Sequence, residues 1–580
     1  MSAQQLITDH LDLWTGAVTH KSGSGRSASG KNGKIELTGI KKLRELILEL
    51  AVRGKLVEQD PSDEPASVLL DRIAEEKARL VKEGKIKKPK KLPAIAEEDK
   101  PFELPKGWQW ARLSDALRVI NGRAYKKHEM LQEGTPLLRV GNLFTSNEWY
   151  YSDLQLEDDK YIDNGDLIYA WSASFGPFIW EGGRAIYHYH IWKLELFDHS
   201  STNKHFLYSY LKAVTEEIKS SGSGIAMIHM TKSKMEELVV PLPPLDEQQR
   251  IVEKVDELMA LCDRLEQQVG DQLEAHKVLV DTLLDALTHS TDAAELAEHW
   301  ARVAEHFDTL FTTEASIEKL KKTILQLAVM GRLVEQDPSD EPASVLLGCI
   351  AEEKARLVKE GKIKPAKSQP PLTEDKLPHS LPHSWSYCRV SDVGEVKLGR
   401  QRSPKDHSGT NMTPYLRVAN VLEDKIDTSD IKEMNFTEAE RRVFSLYPGD
   451  VLLNEGQSKE LVGRPAVYRG EVPGACFQNT LLRFRAYDGV IPEYANKVFL
   501  AYLHNGRFQN AATQTTNIAH LSAGRLSPIE FPLPPQNEQK RIIEKVDDLM
   551  ALCDRLKVRL GEAAETRTQL AETIVEQAVS

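Results

Sequence analysis

The stretch LVEQDPSDEPASVLL at Leu56–Leu70 returns letter for letter at Leu333–Leu347. The repeat is wider than this core. AEEKARLVKEGKIK at Ala74–Lys87 recurs at Ala351–Lys364, and the register runs back through Leu43, Ile47, Leu48 and Leu50 to Leu320, Ile324, Leu325 and Leu327. A second repeated element closes each half, as PLPPLDEQQRIVEKVDELMALCDRL at Pro241–Leu265 and PLPPQNEQKRIIEKVDDLMALCDRL at Pro532–Leu556. The order is repeat A, insert, repeat B, and then the same again with an unlike insert. A repeated frame carrying unlike inserts is expected of a scaffold that holds two different readers.

A chain of 580 residues has room for about three or four domains, and each insert, at roughly 140 to 150 residues, is long enough to bury a core of its own. The formal net charge of -12 argues against coating nucleic acid non-specifically through a global positive field, though it leaves room for local basic faces. Cys262, Cys349, Cys388, Cys476 and Cys553 form no CxxC pair and no metal-ligand spacing, so a reduced, cytoplasmic chain is expected. No apolar run of about 18 residues is present, and MSAQQLITDHLDLW is too acidic and interrupted for a signal peptide. Membrane and secreted readings are thereby excluded.

The periodicity predicts a helix over about Thr38–Val52, with Leu43, Leu46, Ile47 and Leu50 on one face. The AspProSerAspGluPro turn leads to a second, charged helix ending at Gly84 and a Lys/Pro-rich tether. The inserts share a frame. They open with LPKGWQWARLSD (Leu104–Asp115) and LPHSWSYCRVSD (Leu381–Asp392), followed by expected strands LLRVGNL (Leu137–Leu143) and YLRVANV (Tyr415–Val421), and then strands led by Gly165-Asp and Gly449-Asp. Repeat B has the cleanest period. Ile251, Val255, Leu258, Cys262, Leu265 and Val269 alternate steps of four and three, and Ile542, Val546, Leu549, Cys553, Leu556 and Leu560 repeat the pattern, a coiled-coil seam. Each seam is expected to pair with the other; the alternative is that each helix caps the core of its own insert. The Pro-Pro before each helix fixes where the reader ends and the strut begins. The expected fold class is α+β: two mixed α/β target recognition domains joined by long helices that form an antiparallel coiled coil, with an internal pseudo-twofold repeat. The expected segments are 1–37 (N-terminal stretch and linker), 38–100 (A1), 101–244 (first recognition domain), 245–311 (B1 and connector), 312–377 (A2), 378–535 (second recognition domain) and 536–580 (B2).

Catalytic signatures are missing. Gly25-ArgSerAlaSer-Gly30-Lys31-Asn32 imitates a phosphate-binding loop, but Asn32 stands where a magnesium-binding Ser/Thr is needed and no apolar strand precedes it, so it reads as linker. There is no GxGxxG opening a βαβ unit, no GxSxG elbow and no Asn/Asp-Pro-Pro-aromatic tetrapeptide. His188 and His190, expected two apart on one strand face, suggest a metal pair, but the aligned positions are Gln478 and Thr480 and neither insert offers a third ligand. Metal is therefore not expected. Exchange of His and Tyr for Gln, Asn and Thr on one frame suits base-edge readers with different targets, because Asn and Gln pair with adenine and Arg with guanine. The DNA-contact candidates of the first insert are Arg118, Arg123, Tyr125, Lys126, Lys127, Tyr187, His188, Tyr189, His190, Lys232 and Lys234. Those of the second are Arg400, Gln401, Arg402, Lys405, Gln457, Lys459, Arg464, Gln478, Asn479, Gln514, Asn517 and His520. The cations suit phosphate positioning and the amides suit choice.

In its opening motifs, its closing motifs, and the SGSGIAMIHMTKSKMEELVVPLPP and TNIAHLSAGRLSPIEFPLPP runs before them, the chain resembles the specificity subunit of type I restriction-modification systems. The resemblance covers almost everything from residue 38 onward. It implies a non-catalytic subunit whose inserts each read one half of a split double-stranded DNA site, and whose repeats form antiparallel helices that dock methyltransferase subunits, two being expected. It implies no cofactor on this chain; S-adenosylmethionine, ATP and Mg would belong to partner methyltransferase and restriction/translocase chains. Two alternatives are the specificity module of a simpler restriction-modification enzyme and a coiled-coil scaffold whose inserts bind proteins.

Overall fold

A computed structural model describes residues 3–20, 35–88, 92–172, 174–220, 230–361, 372–373, 377–515 and 518–579. The chain divides into two compact units. The first contains Ile35–Asp271 with Met1–His20 and Ala564–Ser580, and the second contains Gln272–Ala563.

In the first unit the helix Thr38–Val52 buries Ile40, Leu43, Leu46, Ile47 and Leu50 against the insert helix Lys204–Ser220. The first long helix, Leu245–His289, has 45 residues and a length of about 67 Å at about 1.5 Å per residue. Its stripe of Ile251, Val255, Leu258 and Cys262 is buried in the same core as the Thr38–Val52 face, with Leu265 packed at the margin, and Ala571 and Ile574 from the end of the second long helix, Gln536–Val579, share that core. The second unit repeats this layer. Ile542, Val546 and Cys553, with Leu549, Leu556 and Leu560 at the margin, share a core with Ile317, Leu320 and Ile324 of the helix Glu314–Val329 and with Val280, Leu284 and Leu287 from the end of the first long helix. In each core the start of one long helix therefore lies with the end of the other.

The expected partner of the seam is corrected over these turns. Each stripe meets helix A of its own unit and the tail of the other long helix, rather than the opposite stripe. The physical reason is that helix A is itself apolar over a wide face. Polar flanks keep the register: Arg44 bridges Asp263 at 2.6 Å and Glu266 at 3.0 Å, and Lys321 meets Asp554 at 2.5 Å.

The repeat also reaches nearer the N-terminus than sequence identity shows. His10 precedes a short helix, Leu11–Gly16, and its carbonyl accepts from the Leu13 and Trp14 N–H groups at 3.0 Å each. His306 does the same for Phe307–Leu310 through Thr309 and Leu310. Trp14 is fully buried, and a Cβ on Gly39 would lie 2.2 Å from the Trp14 carbonyl oxygen, so glycine is what allows this segment to seat on helix A.

The inserts share one topology. The first has an antiparallel sheet in the order Leu117–Asn121, Ile191–Leu196, Leu167–Ser172, Ser174–Ile179. The second has Gly394–Leu398, Leu481–Ala486, Asp450–Asn454, Pro465–Tyr468 in the same order. A further small sheet in each holds a parallel pair, Leu137 beside Ile186 and Tyr415 beside Cys476. Each insert starts and finishes in a two-stranded ribbon, Gln109–Arg112 with Val239–Leu242 and Ser386–Arg389 with Glu530–Leu533. The expected strands LLRVGNL and YLRVANV end early. The strands are Thr135–Leu138 and Met412–Leu416, and the chain then turns into a short helix at Val140–Phe144 and a 3-10 turn at Val418–Asn420. The cause is a cap: Asn142 and Asn420 each accept the backbone N–H of Arg139 and Arg417 at 3.1 Å.

The repeated motifs meet at one buried joint per unit. Glu247 accepts from Trp108 Nε1 at 3.0 Å and from Gln59 Nε2 at 3.1 Å, and Arg250 pairs with Asp63 at 2.6 Å. Gln248 donates to the Pro243 carbonyl at 2.9 Å and accepts from the Asn203 N–H at 2.7 Å. In the second unit Gln336 donates to Glu538 at 2.5 Å, Arg541 pairs with Asp340 at 2.7 Å, and Gln539 accepts from the Ile491 N–H at 2.8 Å. Burial pushes the Glu247 and Glu538 carboxyls above the ordinary carboxylate value, against the lowering effect of these donors.

Replacing Glu247 by Ala is expected to destabilise the first unit by about 1–3 kcal/mol, because Trp108 and Gln59 are left without an acceptor; urea unfolding followed by Trp fluorescence measures this. The raised carboxyl has a stated pH sign. Its contribution is fully present below the unfolded value of 4.5 and is lost as pH climbs through the higher folded value, so Glu247→Gln should flatten that loss in a pH series of unfolding midpoints.

Candidate nucleic-acid interface

At one end of each main sheet a loop crosses a turn, and the backbone bonds there are the same in both inserts. In the first, the Arg123 N–H donates to the Tyr187 carbonyl at 3.1 Å, Tyr189 N–H to the Arg123 carbonyl at 3.0 Å, His188 N–H to the Leu138 carbonyl at 2.9 Å, and Gly122 N–H to the Ile191 carbonyl at 3.2 Å. In the second, Arg400 N–H donates to Phe477 at 3.0 Å, Asn479 to Arg400 at 2.9 Å, Gln478 to Leu416 at 3.0 Å, and Gly399 to Leu481 at 3.1 Å. The glycines are required by close approach. A Cβ at residue 122 would lie 2.3 Å from the His188 carbonyl oxygen, and one at residue 399 would lie 2.2 Å from that of Gln478.

On this fixed backbone the side chains differ. His188 and His190 lie in the turn between Ala185–Tyr187 and Ile191–Leu196, not on one strand face as expected. The chain must turn here because the two flanking strands belong to different sheets. The two imidazoles are 4.9 Å apart between ring centroids, and among the described residues no group of three or more His, Cys, Asp or Glu side chains is placed to hold a metal ion. Burial, then the charges of His190 and Arg139, lower the His188 pKa from 6.5 to about 4. At neutral pH its ring is therefore uncharged, with one donor and one acceptor nitrogen. Tyr189 is 40% exposed, and its carbonyl accepts from Trp171 Nε1 at 2.9 Å. Trp171 stacks on Trp192 at 5.6 Å and meets His190 edge-on at 5.0 Å.

Several candidates are held by protein groups instead of facing outward. Arg118 pairs with Glu195 at 2.7 Å. Arg123 makes two bonds to Glu129, at 3.1 and 2.7 Å, and lies 5.0 Å over the Tyr125 ring. Its counterpart Arg400 pairs with Glu440 at 2.8 Å and Asp406 at 3.1 Å, over Phe436 at 5.0 Å. Tyr125 and Tyr187 are buried; burial raises the Tyr125 phenol to about 12, and Tyr187 donates to the Asp159 carbonyl at 2.7 Å. These residues brace the frame. The sequence could not separate them from free readers, because their carboxylate partners become neighbours only in the fold.

The outward set is different. Lys126, Lys127, Lys234, Gln401, Arg402, Lys459 and Gln514 are exposed; Arg402 bonds His407 at 2.9 Å, and Lys232 pairs with Glu236 at 3.5 Å. In the second insert Gln457, Gln514 and His520 come together on a small sheet of Gly456–Gln457, Ile518–His520 and Thr513–Thr515. Glu455 ties this sheet to the turn, its N–H donating to the Thr480 carbonyl at 2.9 Å and its carboxylate lying 3.3 Å from His520 Nδ1. Gln478 and Asn479 are half-buried in the turn, Arg464 is half-buried beside it, and Lys405 lies in the short turn Pro404–Asp406. Asn517, the SGSG run and the phosphate-loop look-alike Gly25–Asn32 lie outside the described residues. Sequence reasoning missed Trp171 and Arg139; the LeuArgVal shared by both inserts was the signal for the second.

His188 gives the first insert a distinct acid response. Its folded pKa lies below the unfolded 6.5, so its contribution is complete above that value and is lost as pH falls through about 4. His188→Gln is expected to remove this component from the unfolding midpoint measured across the same range, whereas Gln478→His should leave the first unit's profile as it was.

A family model described as the type I restriction modification DNA specificity domain matches residues 105–275 and again 382–565. The chain is 38% identical to the EcoAI type I restriction enzyme specificity subunit of Escherichia coli and 37% identical to the EcoEI specificity subunit of the same species, in each case over 100% of both chains. Among solved structures, the HsdS subunit from Thermoanaerobacter tengcongensis aligns with a TM-score of 0.40 at 18% identity, covering 83% of this chain and 98% of that one. The family model falls twice, once on each insert with the opening turns of its long helix, and the full-length likeness to two specificity subunits agrees with it: the chain belongs to the type I restriction-modification DNA specificity family, as a non-catalytic DNA-recognition component with two recognition domains.

Proposed function

We propose that each insert reads one half of a bipartite double-stranded DNA site, and that the helical repeats dock methyltransferase subunits, two per chain, with restriction/translocase subunits completing the assembly. The observation that supports this most is the frame turn. One backbone, fixed by the same four hydrogen bonds and a glycine that admits no Cβ, presents His188 in one insert and Gln478 in the other. A neutral imidazole and a carboxamide each offer a donor and an acceptor to a base edge, but in different geometry, which is how two copies of a fold acquire two targets. S-adenosylmethionine, ATP and Mg belong in this reading to the partner chains, which carry out methyl transfer, translocation and cleavage. The total charge of -12 fits a chain that shares the enclosure of DNA with more basic partners.

The test is an exchange. Replacing Leu104–Pro244 by the corresponding insert of a relative and mapping methylated adenines in host DNA should change one half of the recognised sequence and leave the other half intact; a change in both halves, or in neither, would count against modular reading. Point variants separate choice from grip. Gln478→Ala should relax preference at one base pair by about 1–3 kcal/mol. Lys405→Ala should weaken every sequence alike and flatten the salt dependence by about one charge, as measured by duplex binding at several ionic strengths.

A further inference from the structure

We propose that Arg139 in the first insert and Arg464 in the second each select a guanine, one in each half of the site; this deepens the DNA-recognition reading and rests on it. Most other insert arginines, among them Arg118, Arg123, Arg400 and Arg417, are neutralised by carboxylates inside the fold. Arg139 and Arg464 are not. Both are half-buried, both have an Nε shielded from solvent with no hydrogen-bond partner, and among the described residues neither guanidinium has a carboxylate or carbonyl at bonding distance, the Glu423 charge acting on Arg464 only at longer range while its carboxylate pairs with His504. A guanidinium drawn partly out of water without an acceptor is unfavourable in the free protein. An incoming acceptor pair relieves that cost.

The backbone places both near the frame turn. Arg139 follows the strand Thr135–Leu138, whose last carbonyl accepts the His188 N–H at 2.9 Å, and its guanidinium rests 4.2 Å over the Tyr150 ring. Arg464 sits on a bulge. The Asn454 N–H donates to the Arg464 carbonyl at 3.1 Å while the Gly463 N–H donates to the Asn454 carbonyl at 2.8 Å, so two residues oppose one. Gly463 has φ 79°, and a Cβ there would lie 2.4 Å from the Phe508 ring. Bulges of this kind re-aim the following side chain. Asn454 pairs on its other side with Leu481, at the end of the frame turn. It is 0% exposed, and neither polar atom of its amide has a partner. The bulge thus joins the arginine's backbone to a buried, unpaired amide at the sheet end that carries the turn.

Guanine is favoured over phosphate by where the free arginines stand. Phosphates are alike in every half-site, so residues that grip them suit positions shared by both inserts. In neither case does the other insert offer an unpaired guanidinium at the matching place: one position holds arginine in both inserts but is neutralised in the second, and the other holds arginine only in the second. The counterpart of Arg139 is Arg417, which Asp430 neutralises, and the residue opposite Ala170, where Arg464 would stand, is Gly176. A planar fork of donors matches guanine O6 and N7 together.

The experiment is selection from a random duplex library by the full chain assembled with its modification partners. Arg464→Ala should lower preference for guanine at one position of the second half-site by on the order of tenfold to a hundredfold, with the first half-site unchanged and with an unfolding midpoint no lower than that of the wild type, since among the described residues no hydrogen bond or ion pair is lost. Arg139→Ala should give the mirror result, and Arg464→Lys should keep the salt dependence without the preference. Uniform weakening of all sequences with a salt slope smaller by about one would assign a phosphate contact and overturn the proposal. An unchanged site, or a variant that no longer assembles, would overturn it as well. If the wild-type assembly selects no sequence at all, the DNA-recognition reading itself fails, which is a separate outcome.

Discussion

The rest of each unit depends on a carboxylate placed where water does not reach. Glu247 and Glu538 each stand in the first turn of a long helix, and burial disfavours their charge. A buried acceptor of this kind must be satisfied, and Glu247 is satisfied from two directions at once: by Trp108 of the insert's opening ribbon and by Gln59 of repeat A. Three segments far apart in sequence are thereby tied to one residue. Gln248 adds a fourth tie by accepting from the Asn203 N–H at the start of the insert helix, and Arg250 adds a fifth through Asp63. This joint explains why the GluGlnxArg run, the opening Trp and the DPSDEP turn recur together: none has its partners without the others.

With the ends of the insert clamped, its far side is free to vary. The frame turn is held almost entirely by backbone bonds and by Gly122 and Gly399, whose missing Cβ lets two chains cross. Backbone bonds do not depend on side-chain identity. The residues displayed there can accordingly change from His-Tyr-His to Gln-Asn-Thr without altering the path of the chain. Stability and choice are thus assigned to different atoms, which is the arrangement a family of readers with many targets requires.

Electrostatics follow the same division. The chain carries a net charge of -12, and most insert arginines are neutralised by neighbouring carboxylates, as Arg123 is by Glu129 and Arg400 is by Glu440 and Asp406. What remains uncompensated is small and local, which favours discrimination between sites over non-specific adhesion.

The sequence by itself determined the duplication, the helical stripe from Ile251 to Cys262 and its copy from Ile542 to Cys553, and the family, because these rest on periodicity and on residue identity, which are properties of the linear chain. Only the tertiary structure decided what the stripes pack against. An apolar stripe states that it must be buried but not by which surface, and the surface proved to be helix A together with the tail of the other long helix. Tertiary structure also decided which arginines are free. Arg123 and Arg139 look equally available in the sequence, but Arg123 folds beside Glu129 whereas Arg139 has no ion-pair partner among the described residues, and pairing depends on a distance that only the folded chain sets.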